Sequence, residues 1–233
     1  MKVQLISYTP NPELLIAGAA RLCYRDISAV EVMKEIHKDV DSLLGRVISS
    51  GHHSVLEHVT FSFALDEVSR VLTHQLVRHR VGIAYSQQSQ RYTHLDATGF
   101  VVPKSIEISP LKFKARIAMH ESLALYEELV TAGVPKEDAR YVLPQAIQTR
   151  MVMTVNARQL IHMYAINACF RSQWEFRDSM NALRREVKTV SPRLAKEMKI
   201  KCIAMGYCNE ASPCKELGDK MPRKPDVSRF SDG

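Results

Sequence analysis

Between His58 and Leu65 the residues alternate. Val59, Phe61, Phe63 and Leu65 fall on one side of an extended chain, and His58, Thr60, Ser62 and Ala64 on the other. Bulky apolar residues at period two make a half-buried strand, since a helix would scatter the same residues around its circumference. A strand with one apolar face needs partner strands and a covering layer, so the rest of the chain must supply both. Lys2–Tyr8, ended by Pro10 and Pro12, and Ile147–Val155, rich in Thr, Val and Met, read as further strands, with a shorter one around Phe100–Val102.

Helices supply the cover. Pro12–Leu22 reads as a short helix, and Ser28 caps a long amphipathic one through Leu43, Leu44, Val47 and Ile48 that stops at Gly51. Asp66 caps a helix carrying Val68, Val71, Leu72 and Leu76, after which Gly82–Gln90 reads as a loop without periodicity. Ser109-Pro110 opens a long helix ending near Gly133, and Pro135 starts a short one closed at Pro144. Asn156 caps a helix bearing Arg158 and His162, and Trp174–Lys201 holds a long helix or pair broken at Ser191-Pro192. No repeat or linker separates these elements. The expectation is an α+β fold: a single domain over 1–205 with a small antiparallel sheet flanked by long helices, then a loose tail over 206–233.

With 45% hydrophobic and 24% charged residues the chain can bury a core. No segment approaches the roughly 20 apolar residues of a membrane span, and Pro10 and Pro12 interrupt the N-terminus before a signal-peptide core could form. Five cysteines, an odd number, fit a reducing compartment, so a cytoplasmic protein without a membrane partner is expected. Cys202, Cys208 and Cys214 lack a CxxC spacing, which makes a zinc site there a weak idea. The net charge of +7 admits nucleic acid, acidic lipid or small anionic substrates, and Arg184-Arg185 and Lys199-Ile-Lys201 read as solvated helix faces.

Three stretches carry chemistry. Gln75–Tyr92, QLVRHRVGIAYSQQSQRY, sets Arg78, His79 and Arg80 before a Ser/Gln run and a closing Arg91-Tyr92. Arginine forks suit phosphate, and neutral amides and hydroxyls suit a base or ribose, so this stretch reads as a holder of nucleotide-like anions. A solvated helix end is the plain alternative, and nucleic acid the competing ligand, although no basic stripe interleaved with aromatics accompanies it. Gly51–His58, GHHSVLEH, admits turn and capping chemistry, a ligand-contacting loop or, least well, a metal held by His52, His53 and His58. Thr154–Arg177 presents Asn156 and Arg158 from a strand end, either to a flat cofactor or as a capped, buried helix. There is no GxGxxG, Walker loop, zinc signature or GxSxG elbow, and no cysteine stands in a nucleophile context. Any chemistry therefore belongs to a bound cofactor.

Taken with AARLCY, DARYVLP, TVNAR and QWE in order, these stretches resemble the flavin-dependent thymidylate synthase (ThyX) family over nearly the whole chain. The resemblance implies a homotetramer with shared active sites, bound FAD, and reductive methylation of dUMP to dTMP. Methylene-tetrahydrofolate would be the carbon donor and NADPH the reductant, with no nucleic-acid partner. By position it assigns Ser54, Glu57, Arg78, His79, Arg80, Asn156, Arg158 and His162 to FAD. It assigns Gln75, Arg78, Gln87, Ser89, Gln90, Arg91 and Arg140 to dUMP, with Arg91 and Arg140 suited to the phosphate, and matches His52 to a histidine near the flavin. The sequence departs from the family twice. The Val81–Gln88 loop is one residue longer, and Asn167 stands where the family places its catalytic arginine. The alternative this raises is an impaired enzyme or one with altered uridine-nucleotide specificity; Arg171, a turn further on, is the substitute cation the helix offers.

Overall fold

The computed structural model describes residues 1–36, 40–93, 95 and 99–223. In it the alternating run becomes the second of four strands: β1 (Lys2–Tyr8), β2 (Thr60–Ser69), β3 (Ile83–Gln87) and β4 (Gln148–Asn156). They form one sheet in the order β1-β2-β4-β3. β1 and β2 run antiparallel, with Lys2 against Glu67 at one end and Thr9 against Thr60 at the other. β2 and β4 do likewise, the Ser62 and Thr154 hydroxyls meeting at 2.8 Å. Val59, Phe61, Phe63 and Leu65 are fully buried, as the alternation requires, and Met151, Met153 and Val155 repeat the pattern on β4. Each such side chain stabilises the fold by about 1.5–3 kcal/mol.

Eleven helices accompany the sheet among the described residues: α1 (Pro12–Leu22), α2 (Ala29–Glu35), α3 (Val40–Ser49), α4 (Arg70–Leu76), α5 (Lys104–Glu107), α6 (Lys112–Thr131), α7 (Lys136–Ala139), α8 (Ala157–Asn167), α9 (Trp174–Val190), α10 (Pro192–Glu197) and α11 (Lys201–Met205). The fold is thus α+β with a small antiparallel sheet. None of these helices is long and apolar enough to cross a membrane.

The sequence expectations fail at four junctions. Ser28 caps α2 through a full capping box with Glu31, but the helix does not run on to Gly51: Ile36 leaves helical geometry at φ −80°, ψ 79° and buries its side chain with Ala17 and Val40. Residues 37–39 of that expected helix lie outside the described residues. β2 continues past Asp66 to Ser69, and Ser69, not Asp66, caps α4 by accepting from Leu72 N at 3.0 Å. Pairing holds 66–69 in the strand despite a left-handed Glu67 at φ 57°: the Arg70 N–H donates to Ile147 O, and Glu67 pairs with Lys2. Gly82–Gln90 contains β3, because edge pairing with β4, such as the Gln88 N–H on Arg150 O at 2.9 Å, extends the chain where local pattern is weak. Phe100–Val102 makes only an isolated bridge to Ile147.

By Cα proximity the chain gathers into two compact units. One comprises Met1–Ile6 and Ser62–Thr154, the other Ser7–Phe61 and Val155–Gly233. The first has a cluster of Leu95, Leu123, Tyr126, Ala139 and Ile147; the second has Ala17, Ile36 and Val40. After α11, Gly206 turns the chain at φ 76° and Cys208 bridges to Arg223.

Candidate active site

In the first unit, α4, the Gln87–Gln90 stretch and the turn Arg140–Val142 wall a cleft of about 230 Å³. Arg70 and Arg140 both face it, with Thr73, His74, Gln87 and Gln90. Arg70 stands at the first position of α4, where the helix dipole disfavours a cation. Burial, and then repulsion from Arg140, hold its guanidinium below the ordinary arginine range. Among the described residues no carboxylate pairs with Arg70. Arg140 is aimed by its Nε–H on Glu137 O at 3.0 Å, and the Glu137 carboxylate holds Arg91 at 2.6 Å. The Gln87 amide donates to the hydroxyls of Thr73 at 3.0 Å and Thr149 at 3.3 Å. Two cations, Arg70 partly desolvated, beside the oriented Gln87 amide form a site for a phosphorylated, polar ligand.

Of the residues expected to hold a nucleotide, Gln87, Gln90 and Arg140 line this cleft, and Gln75, Arg78, Ser89 and Arg91 do not. Ser89 instead shapes the turn, its hydroxyl accepting from Arg91 N at 3.2 Å. Arg78 and Arg80, exposed just past α4, pair with no carboxylate among the described residues, while Tyr85 steadies this helix end by donating to Leu76 O at 2.6 Å. Sequence reasoning missed Arg70, Thr73 and His74. The available signal was a cation set at a helix start against the dipole, visible only once Ser69 is recognised as the cap.

The second unit holds the rest. His52 begins the turn His53–His58, His53 Nε2 lies 3.1 Å from Ile48 O, and His52, Ser54 and Glu57 are exposed. The Ala157 N–H donates to Val59 O at 2.8 Å, joining the end of this turn to the start of α8. Asn156 caps α8, accepting from Gln159 N at 2.8 Å. Arg158 is ion-paired with Glu57, and exposed His162 lies one turn along. The predicted flavin set is therefore divided between the units, with Arg78, His79 and Arg80 in the first. Asn167, at the last position of α8, donates its amide to Met163 O at 2.9 Å. Arg171 turns instead to the segment after α11, donating to Ser212 O and lying 3.6 Å from Glu210. No group of three His, Cys, Asp or Glu among the described residues could hold a metal ion.

The family model described as thymidylate synthase complementing protein matches residues 4–193. Relatives named flavin-dependent thymidylate synthase are 40% identical in Geobacter sulfurreducens, over 99% of this chain and 97% of that one. They are 39% identical in Clostridium tetani, over 91% and 92%, and 40% in Thermococcus onnurineus, over 95% and 91%. The chain belongs to the flavin-dependent thymidylate synthase family. That makes it an enzyme of a methyltransferase family, and its most characteristic stretch, Arg78–Tyr92, adjoins the cleft of the first unit.

Proposed function

We propose that the protein methylates dUMP to dTMP, with methylene-tetrahydrofolate as carbon donor and NADPH as reductant of a bound FAD. A methylene carbon must gain two electrons to become a methyl group, so a reductant is required; FAD would supply that hydride chemistry. The observation that carries the reading is the Arg70–Arg140 cleft. Its paired cations suit the dUMP phosphate, and Gln87 and Gln90 suit a pyrimidine, which needs neutral donors and acceptors. Gln75, Arg78, Ser89 and Arg91 belong to the same substrate set in our reading, with Arg91 freed from Glu137 as the phosphate arrives.

The residues fit FAD. Arg78 and Arg80, exposed and paired with no carboxylate among the described residues, would hold its pyrophosphate, together with His79. Ser54, Glu57, Asn156, Arg158 and His162 would contact the rest, with His52 beside the ring. Asn167 would meet the uracil edge, donating and accepting but carrying no charge, so it orients the ring without stabilising negative charge on it. Apolar side chains left exposed on and before α6, namely Ile108, Leu111, Phe113, Ile117 and Leu125, support assembly into a homotetramer. We read 1–205 as the catalytic region and 206–233 as an appended tail, in a cytoplasmic enzyme without a nucleic-acid or membrane partner.

The test is direct. The purified protein should show visible flavin absorption and form dTMP from dUMP when given methylene-tetrahydrofolate and NADPH. A colourless protein that cannot be loaded with FAD overturns the reading.

A further inference from the structure

A second basic groove is lined by none of the residues assigned to FAD or dUMP. Arg184, Arg185 and Lys188 on α9 and Lys196 on α10 line one groove of about 570 Å³, beside Asn181. Ordinary solvated faces mix both signs of charge, and elsewhere on this unit they do. On α10 itself Arg193 is neutralised by Glu13 and Asp41, and Lys199 pairs with Glu197 at 2.8 Å. In the groove, no carboxylate among the described residues pairs with Arg184, Arg185, Lys188 or Lys196. Arg184 is also fixed in place: its Nε–H donates to Ala195 O at 2.8 Å, and its guanidinium lies 5.6 Å from the centre of the Tyr164 ring. The Tyr164 hydroxyl is in turn 3.1 Å from Asn181 Oδ1. A cation held this way loses little freedom when it binds an anion.

We propose that this groove binds a chain of phosphates, a contiguous di- or triphosphate. Four gathered cations exceed what a single phosphate can neutralise, whereas adjacent phosphates can engage them together. No aromatic residue lines the groove among the described residues, and the Tyr164 ring beside it is covered by Arg184, so a base finds no stacking platform in that lining. Recognition therefore falls on the phosphate chain, whether free or carried as the tail of a nucleotide. The inference does not depend on the dUMP reading.

The experiment is calorimetric titration of the full chain at about 0.1 M salt with inorganic triphosphate, orthophosphate, ATP and a single-stranded DNA oligonucleotide. Triphosphate should bind at least about tenfold tighter than orthophosphate. The Arg185→Gln/Lys188→Gln/Lys196→Gln variant should lose about a hundredfold or more in triphosphate affinity. Lys188→Arg/Lys196→Arg, which keeps the charge, and Arg140→Gln, which alters the other cleft, should both bind as the parent does. ATP binding equal to triphosphate identifies a nucleotide tail as the source; weaker ATP binding identifies free oligophosphate. The proposal is overturned if the triple Gln variant binds triphosphate unchanged, if Arg140→Gln abolishes the binding, or if the oligonucleotide displaces triphosphate from these residues.

Discussion

The cations of the first unit's cleft and those at the ends of α8 in the second unit have opposite surroundings. Arg70 and Arg140 line one cleft with no carboxylate paired to Arg70 among the described residues, and burial and then repulsion from Arg140 weigh on the Arg70 charge. Arg158 and Arg171 are each matched within their own unit, by Glu57 and by Glu210 with Ser212. A half-buried, unmatched cation costs the free protein stability and is relieved when an anion arrives, whereas a matched one fastens chain segments together. The contrast marks the first unit as the better-prepared anion site. It also separates Arg171 from the role suggested by its place one turn after Asn167, because its guanidinium is already engaged.

The largest expected effect tests the unmatched pair. Arg70→Gln should lower dUMP affinity by about a hundredfold, the scale of a lost charge-assisted contact, while raising the melting temperature of the unliganded protein. Calorimetry and thermal unfolding read the two, and a fall in melting temperature would show that Arg70 serves the fold instead. Next comes the missing cation of the second unit. Asn167→Arg should raise turnover of dUMP by about tenfold to a hundredfold, since a fixed charge beside a developing anion is worth a few kcal/mol. Steady-state kinetics check it, and flat or abolished dTMP formation would remove the lost-arginine argument.

Smaller effects probe how each region is held. Burial raises the Tyr85 phenol well above its usual value. The unfolded chain therefore releases this proton first as pH climbs through the ordinary tyrosine range near 10, and stability falls in alkali from there upward. Tyr85→Phe should flatten that alkaline slope while costing about 1 kcal/mol at neutral pH for the lost bond to Leu76 O. Denaturant unfolding across pH measures both, and an unchanged slope would mean that the phenol is not shielded. Smallest of all, Glu57→Gln should change stability by less than about 1 kcal/mol, because the Arg158 pair is half exposed. A larger loss would make that pair a structural clamp and narrow the contrast between the two regions.

Local pattern made much of this protein legible. The alternation from Val59 to Leu65 specified a strand and its buried face, Ser28 and Asn156 announced helix starts, and Pro12 opened α1, because each depends on neighbours within a few residues. The order of motifs from GHHSVLEH through SQQSQRY to QWE carried the family. What pattern could not reach were features set by pairing across the chain. β3 is extended by its ladder with β4, Ser69 displaces Asp66 as cap because β2 is held out to it, and Ile36 leaves its helix to join Ala17 and Val40. Arg70 gained meaning only beside Arg140, seventy positions away, and Arg171 lost its expected role only when Ser212 was found on it. The sequence by itself determined β1, β2, β4 and most helix starts, and it named Gln87, Gln90 and Arg140 of the cleft. Only the tertiary structure decided which cations are left unmatched, because desolvation and charge balance depend on what surrounds a side chain in space.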